Sequence, residues 1–390
     1  MIDHINRASL IGFFSSLTIL FAYFRHLGSL PGAMSSNELS VLTNSTRLRQ
    51  LFDNPINLPH NSFDYLLVHF HKVNLFSIRA ISVFFAIAII YSFYTILRTW
   101  FGSFISWIGT VFFAFTPLVI LAGRNGTDAI LALFPLCLVA CYFWILRTKK
   151  PRLSQIIFLL ILTALVLYTP GGLIILGLSA VAARKNLLNI SKYLGSKKVF
   201  LCALVFLVFL APLIYGLVKS PDMAKTLVWW PSGHIPHAID LLKNIGWNFL
   251  AFFYRSSAHN DLQVGRLAIL NIAQIALAIT GMYAMWSRAR PKIYVIFALS
   301  VIGILASAFY QDYNVELVAI PGIAVLVTAG LRYMHIEWTT VFPRNPIPRG
   351  LALVLIFSLA ILQVAWGVRY SVYAWPHSVD VKKSYVVKYQ

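Results

Sequence analysis

The sequence predicts an all-α, polytopic integral membrane protein with about 11 transmembrane helices. Three observations carry this. The 390-residue chain is 59% hydrophobic and only 11% charged, whereas a soluble domain carries about 25% charged residues. Long apolar runs recur along its whole length, each of the size a bilayer-crossing helix needs. The 32 Lys and Arg residues, which set a formal net charge of +20, lie in short tracts between those runs. Basic residues retained on the cytoplasmic side explain that placement. A nucleic-acid footprint would instead gather them on one soluble face, so nucleic acid is excluded as a partner.

Taken in order, the expected spans lie near 9–24, 76–97, 104–122, 127–146, 154–169, 171–183, 199–218, 267–286, 293–310, 315–331 and 350–368. Residues 9–24 lack a small-residue cleavage site and read as a retained first span. The fifth and sixth spans are separated by Tyr168-Thr169-Pro170-Gly171-Gly172, a helix breaker. One long kinked helix is the alternative. Against it, the basic tracts before the pair (Arg147, Lys149, Lys150, Arg152) and after it (Arg184, Lys185, Lys192) both favour the cytoplasm, so an even number of crossings separates them. The same rule puts Arg288, Arg290, Arg332, Arg344 and Arg349 inside. The N-terminus is then cytoplasmic, and the segments 25–75 and 219–266 and the short polar tail 370–390 lie outside. The acids were not used to set this topology. Glu38, Asp53, Asp64, Asp128, Asp222, Asp240, Asp261, Asp312, Glu316 and Asp380 fall on the outer side, and only Asp3 and Glu337 inside. Carboxylate chemistry therefore belongs to the outer face.

No internal repeat is visible, and residues 1–390 read as a single membrane-embedded domain, expected in a bacterial plasma membrane. Cys137, Cys141 and Cys202 sit in apolar runs and read as buried small hydrophobes. The two long outer segments exceed what connectors require. In the first, Leu39, Leu42, Leu48, Leu51 and Phe52 form a rough helical stripe, expected to lie in the interface plane. In the second, Trp229, Trp230 and Trp247 suit the headgroup level.

Several polar residues suit chemistry. Glu38 lies in LGSLPGAMSSNELSVLTN (27–44), directly after the first span. A carboxylate there fits a general base and equally a helix-start residue after Ser35 or Ser36. Arg124 and Asp128 flank the short turn in GRNGTDAILALF (123–134). Arginine holds phosphate bidentately, while Asp128 suits orienting a base, binding a metal or capping the next helix. Arg255, His259, Asn260, Asp261 and Arg266 cluster before the eighth span, where they fit phosphate and sugar binding or plain juxtamembrane hydration. Asp312 and Glu316 stand at i and i+4, facing a site or favouring a helix N-terminus through its dipole. His69 with His71, and His234 with His237, are weak as metal pairs. No metal site is assigned, and a divalent ion stays open because hard cations need several oxygen ligands.

Together these stretches resemble the GT-C superfamily of polytopic glycosyltransferases, of the dolichyl-phosphate-mannose protein mannosyltransferase and aminoarabinose-transferase type. LGSLPGAMSSNELS resembles that family's first-loop segment, which usually ends in an acidic pair; here the pair reads Asn37-Glu38. RAISVFFAIAIIYSFYTILRTWFG (79–102) resembles the second span, and LAGRNGTDAILALFPLCLVACYFWILR (121–147) the second-loop pattern. SSAHNDLQVGRLAILN (256–271) and YNVELVAIPGIAVLVTAGL (313–331) are similar to later segments. LPHNSFDYLL (58–67) has His60 and Asn61 where the family has prolines, and Asp312-Tyr313 stands where Arg-Tyr is common.

The resemblance implies transfer of a sugar from a polyprenyl-phosphate donor to a hydroxyl or amine of a lipid, glycan or protein acceptor on the non-cytoplasmic face, within membrane lipid. It implies Glu38 as base, Asp128 as its acidic partner and Arg124 as a donor-phosphate ligand; Arg255, His259, Asn260, Arg266 and Tyr65 are further candidate substrate- or phosphate-binding residues. No cofactor is assigned. No second nucleophile is evident, so inversion at the anomeric carbon is expected. Two other readings remain. A non-catalytic scaffold of the same fold would account for Asn37. A lipid or sugar transporter would account for the broken pair at 168–172, although its spans would carry ionisable groups near the midplane.

Overall fold

The computed structural model describes residues 7–148, 151–192, 196–231, 235–255, 262–288 and 290–387; Asp3, Lys149, Lys150, His234, His259, Asn260 and Asp261 lie outside them. The apolar stretches are helices, as a bilayer requires of segments whose backbone polar groups find no water. The first helix, α1 (Arg7–Phe24), leads into three short helices, α2 (Ser36–Asn44), α3 (Leu48–Asp53) and α4 (Leu58–His69). Then come α5 (Leu75–Phe101), α6 (Ser103–Ala114), α7 (Pro117–Arg124), a 3-10 turn at Asp128–Leu133, α8 (Pro135–Leu146), α9 (Leu153–Leu167), α10 (Gly172–Lys192) and α11 (Ser196–Lys219). Helices α12 (Met223–Leu227) and α13 (Ala238–Phe253) precede α14 (Ile272–Arg288), α15 (Arg290–Tyr310), a 3-10 turn at Tyr313–Ala319, α16 (Ile320–Val341) and α17 (Pro346–Val368). The chain closes through α18 (Trp375–His377), α19 (Val379–Ser384) and a strand, β2 (Tyr385–Val387), antiparallel to β1 (Met34–Ser35).

Among the described residues, six helical segments are long and apolar enough to cross a membrane, and α6 with α7 makes a seventh if the bent pair is one span. Ser9–Phe24, Leu153–Leu167, Gly172–Val181 and Ile272–Ser287 are shorter apolar helices. A count of eleven crossings rests on those four also spanning. Large apolar side chains such as Phe13, Phe200 and Ile361 face outward, which a soluble protein avoids over so wide an area.

The break between α6 and α7 turns the chain by 68°. Pro117, first in α7, has no N–H to continue the ladder. The carbonyls freed there are taken by polar side chains from distant helices. The Tyr23 hydroxyl donates to the Ala114 carbonyl at 2.9 Å. Gln363 Nε2 donates to the Phe115 carbonyl at 3.0 Å, and Gln274 Nε2 to Thr116 Oγ1 at 2.9 Å. These bonds tie α1, α14 and α17 to the break.

Helix α14 meets α16 at backbone distance. A Cβ on Gly281 would lie 1.8 Å from the Leu326 carbonyl oxygen, and one on Gly330 would lie 2.1 Å from that of Leu277. Without a hydrophobic drive inside lipid, such close approach of small residues is a main source of helix association.

The outer surface departs from the sequence expectation in three places. The stripe over 39–52 divides between α2 and α3 at a turn; Leu42 and Leu51 are buried while Leu39, Leu48 and Phe52 are exposed. Trp229 does not reach the headgroups. It is buried with Ile175, Val315 and Val318, because the Gly171 backbone leaves room for its ring: a Cβ there would sit 1.9 Å from Trp229 Cζ2. The short polar tail returns through β2 to the first loop, with Val381 and Tyr385 buried, a docking the sequence did not suggest.

Gly330→Val places two methyl groups against the Leu277 carbonyl and separates α14 from α16. The expected result, read by thermal unfolding in detergent, is a lower melting temperature, by about 1–3 kcal/mol in stability or more.

Candidate active site

Four successive residues running from the end of α7 into the following 3-10 turn are each held by a different part of the chain. Asn125 Oδ1 accepts from the Tyr385 hydroxyl at 2.8 Å. The Gly126 N–H donates to Glu38 Oε1 at 2.9 Å. The Thr127 carbonyl accepts from Ser82 Oγ at 2.9 Å. Asp128 Oδ2 accepts from Asn57 Nδ2 at 2.6 Å. Gly126 has to be glycine, since a Cβ there would lie 2.7 Å from Ile78 Cγ2 and 3.1 Å from Glu38 Oε1.

Glu38 is the centre of this scaffold. Ser35 caps α2 in a capping box with Glu38, so Glu38 Oε2 accepts from the Ser35 N–H at 3.1 Å. The Arg79 guanidinium donates through Nε to Oε1 at 2.9 Å and through an Nη to Oε2 at 3.3 Å. Both side chains are buried, at 1% exposure each. The rest of the Arg79 guanidinium holds the loop after α1, donating to the carbonyls of Leu27, Leu30, Pro31 and Ala33. Both oxygens of Glu38 are thus occupied by donors, and the residue does not line the cavity described below.

Arg124 plays a similar part. Its guanidinium donates to the carbonyls of Ala22, Tyr23 and Arg25, the unpaired end of α1, and it too is absent from the cavity wall. Glu38, expected as base, and Arg124, expected as phosphate ligand, both direct their side chains at protein groups rather than into the cavity. The reason is burial: each must satisfy its charge inside the protein and does so on backbone groups that sequence does not reveal.

Beside the 125–128 turn lies a cavity of about 350 Å³, with Asn37, Asn57, Asp128 and Asp312 among its polar walls and Trp229 and Leu262 among its apolar ones. None of its described lining residues is basic. Asp128, expected as the partner of the base, is therefore a cavity carboxylate. Asp312 accepts from the Asn314 N–H at 2.9 Å, so it both caps the 3-10 turn and faces the site. Burial pushes its carboxyl up from the ordinary range, opposed by the Asn314 N–H and reinforced by the nearby Asp128 charge. Asn37, where the family resemblance expects an acid, faces the same space.

The remaining expected residues are dispersed. Tyr65 stacks on His69 with ring centroids 5.7 Å apart, away from the cavity wall. Arg255 bridges to Leu267, and Arg255 and Arg266 are both exposed, bracketing the segment that ends at Leu262. His259 and Asn260 lie outside the described residues. No group of three or more His, Cys, Asp or Glu side chains converges among the described residues.

Sequence reasoning missed Arg79, Ser82, Asn57, His60 and Tyr385 as site-forming residues. Asn57 carried one signal. It has φ +56°, a left-handed conformation that Asn tolerates, directly before the Leu58-Pro59 start of α4.

Comparison with known proteins places this geometry. The family model for dolichyl-phosphate-mannose-protein mannosyltransferase matches residues 63–215. The structure of ArnT from Cupriavidus metallidurans in the apo state superposes with a TM-score of 0.58 at 13% identity, covering 97% of this chain and 78% of that one. This chain shares its fold with that protein. The same enzyme bound to undecaprenyl phosphate gives a TM-score of 0.56 at 13% identity, over 98% of this chain and 77% of that one. No curated protein matches the chain in sequence.

Two measurements check this site. Glu38→Gln puts an amide against the donors of Arg79, Gly126 and Ser35. Breaking one side of a buried pair costs about 3–5 kcal/mol, so the variant is expected to melt lower and to expose residues 25–57 to proteolysis. The raised carboxyl of Asp312 means the folded chain binds that proton more tightly than the unfolded one. Its stabilising contribution is complete below the ordinary aspartate range of about 4 and is lost as pH rises through the folded value. Asp312→Asn, which keeps the acceptor for Asn314, is expected to melt above wild type at neutral pH and to converge with it as pH falls towards that range.

Proposed function

We propose that this protein transfers a sugar from a polyprenyl-phosphate donor to an acceptor on the outer membrane face, with Asp128 as general base. The observation that carries this reading is the division between the two acids: the Glu38 carboxylate is fully occupied by Arg79, Gly126 and Ser35, while Asp128 lines the cavity. The GT-C fold and the family match support the reaction class. In a single displacement the acceptor oxygen attacks the anomeric carbon. Its proton passes to Asp128, the bond from that carbon to the phosphate oxygen breaks, and polyprenyl phosphate departs. A base in this position contributes about 10²–10⁴-fold, and one displacement inverts the anomeric carbon. None of the described lining residues is basic, so the proposed phosphate ligands are Arg255, His259, Asn260 and Arg266, which flank the cavity-lining Leu262 in sequence.

A second reading has its own observation. Asn37 lies in the cavity as an amide that takes no proton, and a non-catalytic scaffold of the same fold would carry such a change.

One assay separates the two. Protein in liposomes is given a panel of polyprenyl-phosphate sugars, and transfer and donor hydrolysis are followed in wild type and Asp128→Asn. The expected result is turnover in wild type, with an inverted product by NMR, and a loss of about 10²–10⁴-fold in the variant with donor binding retained. Donor binding without wild-type turnover supports the scaffold; full activity in Asp128→Asn removes it as base.

A further inference from the structure

Buried between α4 and α5 is a hydrogen-bonded chain that makes no contact with the cavity: Asp64, His60 and Ser82, each at 0% exposure. Its hydrogens can be assigned from the partners alone. A serine hydroxyl has one hydrogen. Ser82 Oγ lies 2.9 Å from the Thr127 carbonyl oxygen, which only accepts, so the hydrogen is directed there. His60 Nε2 lies 2.9 Å from the same Oγ and must therefore carry the hydrogen between them. On its other side His60 Nδ1 lies 2.7 Å from Asp64 Oδ2, a contact that also holds one proton.

The direction of donation has two consequences. Ser82 is not an activated nucleophile, although Asp, His and Ser stand in the order of a hydrolytic triad: a triad needs the hydroxyl hydrogen on the imidazole, and here it points away. The chain instead ends on the Thr127 carbonyl, whose carbon is bonded to the Asp128 nitrogen. The same turn of chain supplies the second hold on Asp128. Asn57 donates to its carboxylate at 2.6 Å, and the His60 N–H donates to the Asn57 carbonyl at 2.9 Å. The imidazole cannot swing, being stacked on Phe85 at a centroid distance of 5.9 Å. Asp64 Oδ1 has no hydrogen-bond partner among the described residues, so His60 is the one described group to which its carboxyl is coupled by hydrogen bonding.

We propose that Asp64, His60 and Ser82 are positioning residues for Asp128, fixing the Thr127–Asp128 peptide so that the carboxylate meets the acceptor hydroxyl at one angle. This rests on Asp128 being the general base. Small misplacement of a reacting group costs rate without weakening substrate binding, and that separates positioning from support of the fold.

The test is Ser82→Ala, which removes one oxygen atom and leaves the packing in place, assayed for transfer from the polyprenyl-phosphate sugar that wild type uses. The expected result is a fall in kcat of at least about tenfold with the donor KM within about twofold. Ser82→Thr, which keeps the hydroxyl, restores kcat. In an Asp128→Asn background Ser82→Ala causes no further loss, because the group it positions is gone. Unchanged kcat in Ser82→Ala, or an equal loss in both backgrounds together with a lower melting temperature, overturns the positioning role and leaves Asp128 as base. An active Asp128→Asn, or a wild type that turns over no donor, overturns both.

Discussion

The structure depends on one buried ion pair, Glu38 with Arg79. Neither charge is stable in a dry interior unless every part of it is satisfied, and the two together draw the first loop and the turn after α7 to one point. Glu38 draws in the Ser35 N–H and the Gly126 N–H, which links the first loop to the turn after α7. Arg79 gathers four carbonyls of the loop after α1 and lies under the Tyr385 ring, 5.9 Å from its centroid. The strand pairing of the tail with β1 then closes over this point. Two charges from residues 41 positions apart thereby set the shape of a surface made from at least four chain segments.

The same economy recurs with neutral groups. Where α6 breaks before Pro117, the loose carbonyls are taken by Tyr23 and Gln363, and the Thr116 hydroxyl by Gln274. Where α1 ends, Arg124 takes its last carbonyls. Polar side chains in the apolar body of this protein are mostly spent on backbone. What is left for chemistry is what lines the cavity: Asp128, Asp312 and amides. A carboxylate with one hydrogen-bond donor and an open side is suited to take a proton; one enclosed by a guanidinium and two amides is suited to hold a fold.

Much of the fold was legible. Each apolar stretch expected to span contains a helix in the structure, although 104–122 breaks before Pro117 and 267–286 becomes helical only from Ile272, because hydrophobicity and backbone satisfaction in lipid act on each segment separately. The gathering of Glu38, the 123–128 turn and the Asp312 turn on one end of the molecule followed from the basic tracts. The site was legible only in part. Asp128 was singled out and lines the cavity, but Arg124 and Glu38, the more conspicuous charges, are buried in structural roles. Trp229 reads as an interfacial anchor until Gly171 makes room for it, and the pairing of the polar tail with β1 shows only in the structure.

What the sequence by itself determined is therefore the class of protein and the helical segments. Each of these follows from properties summed over a window of residues, and such sums survive without knowledge of neighbours. Only the tertiary structure decided which acid is enclosed and which is open, that Ser82 joins His60 to Thr127, and that Tyr385 reaches Asn125. Those assignments depend on single hydrogen bonds between residues as far apart as 260 positions, and a carboxylate's role is set by which donors surround it once the chain has closed.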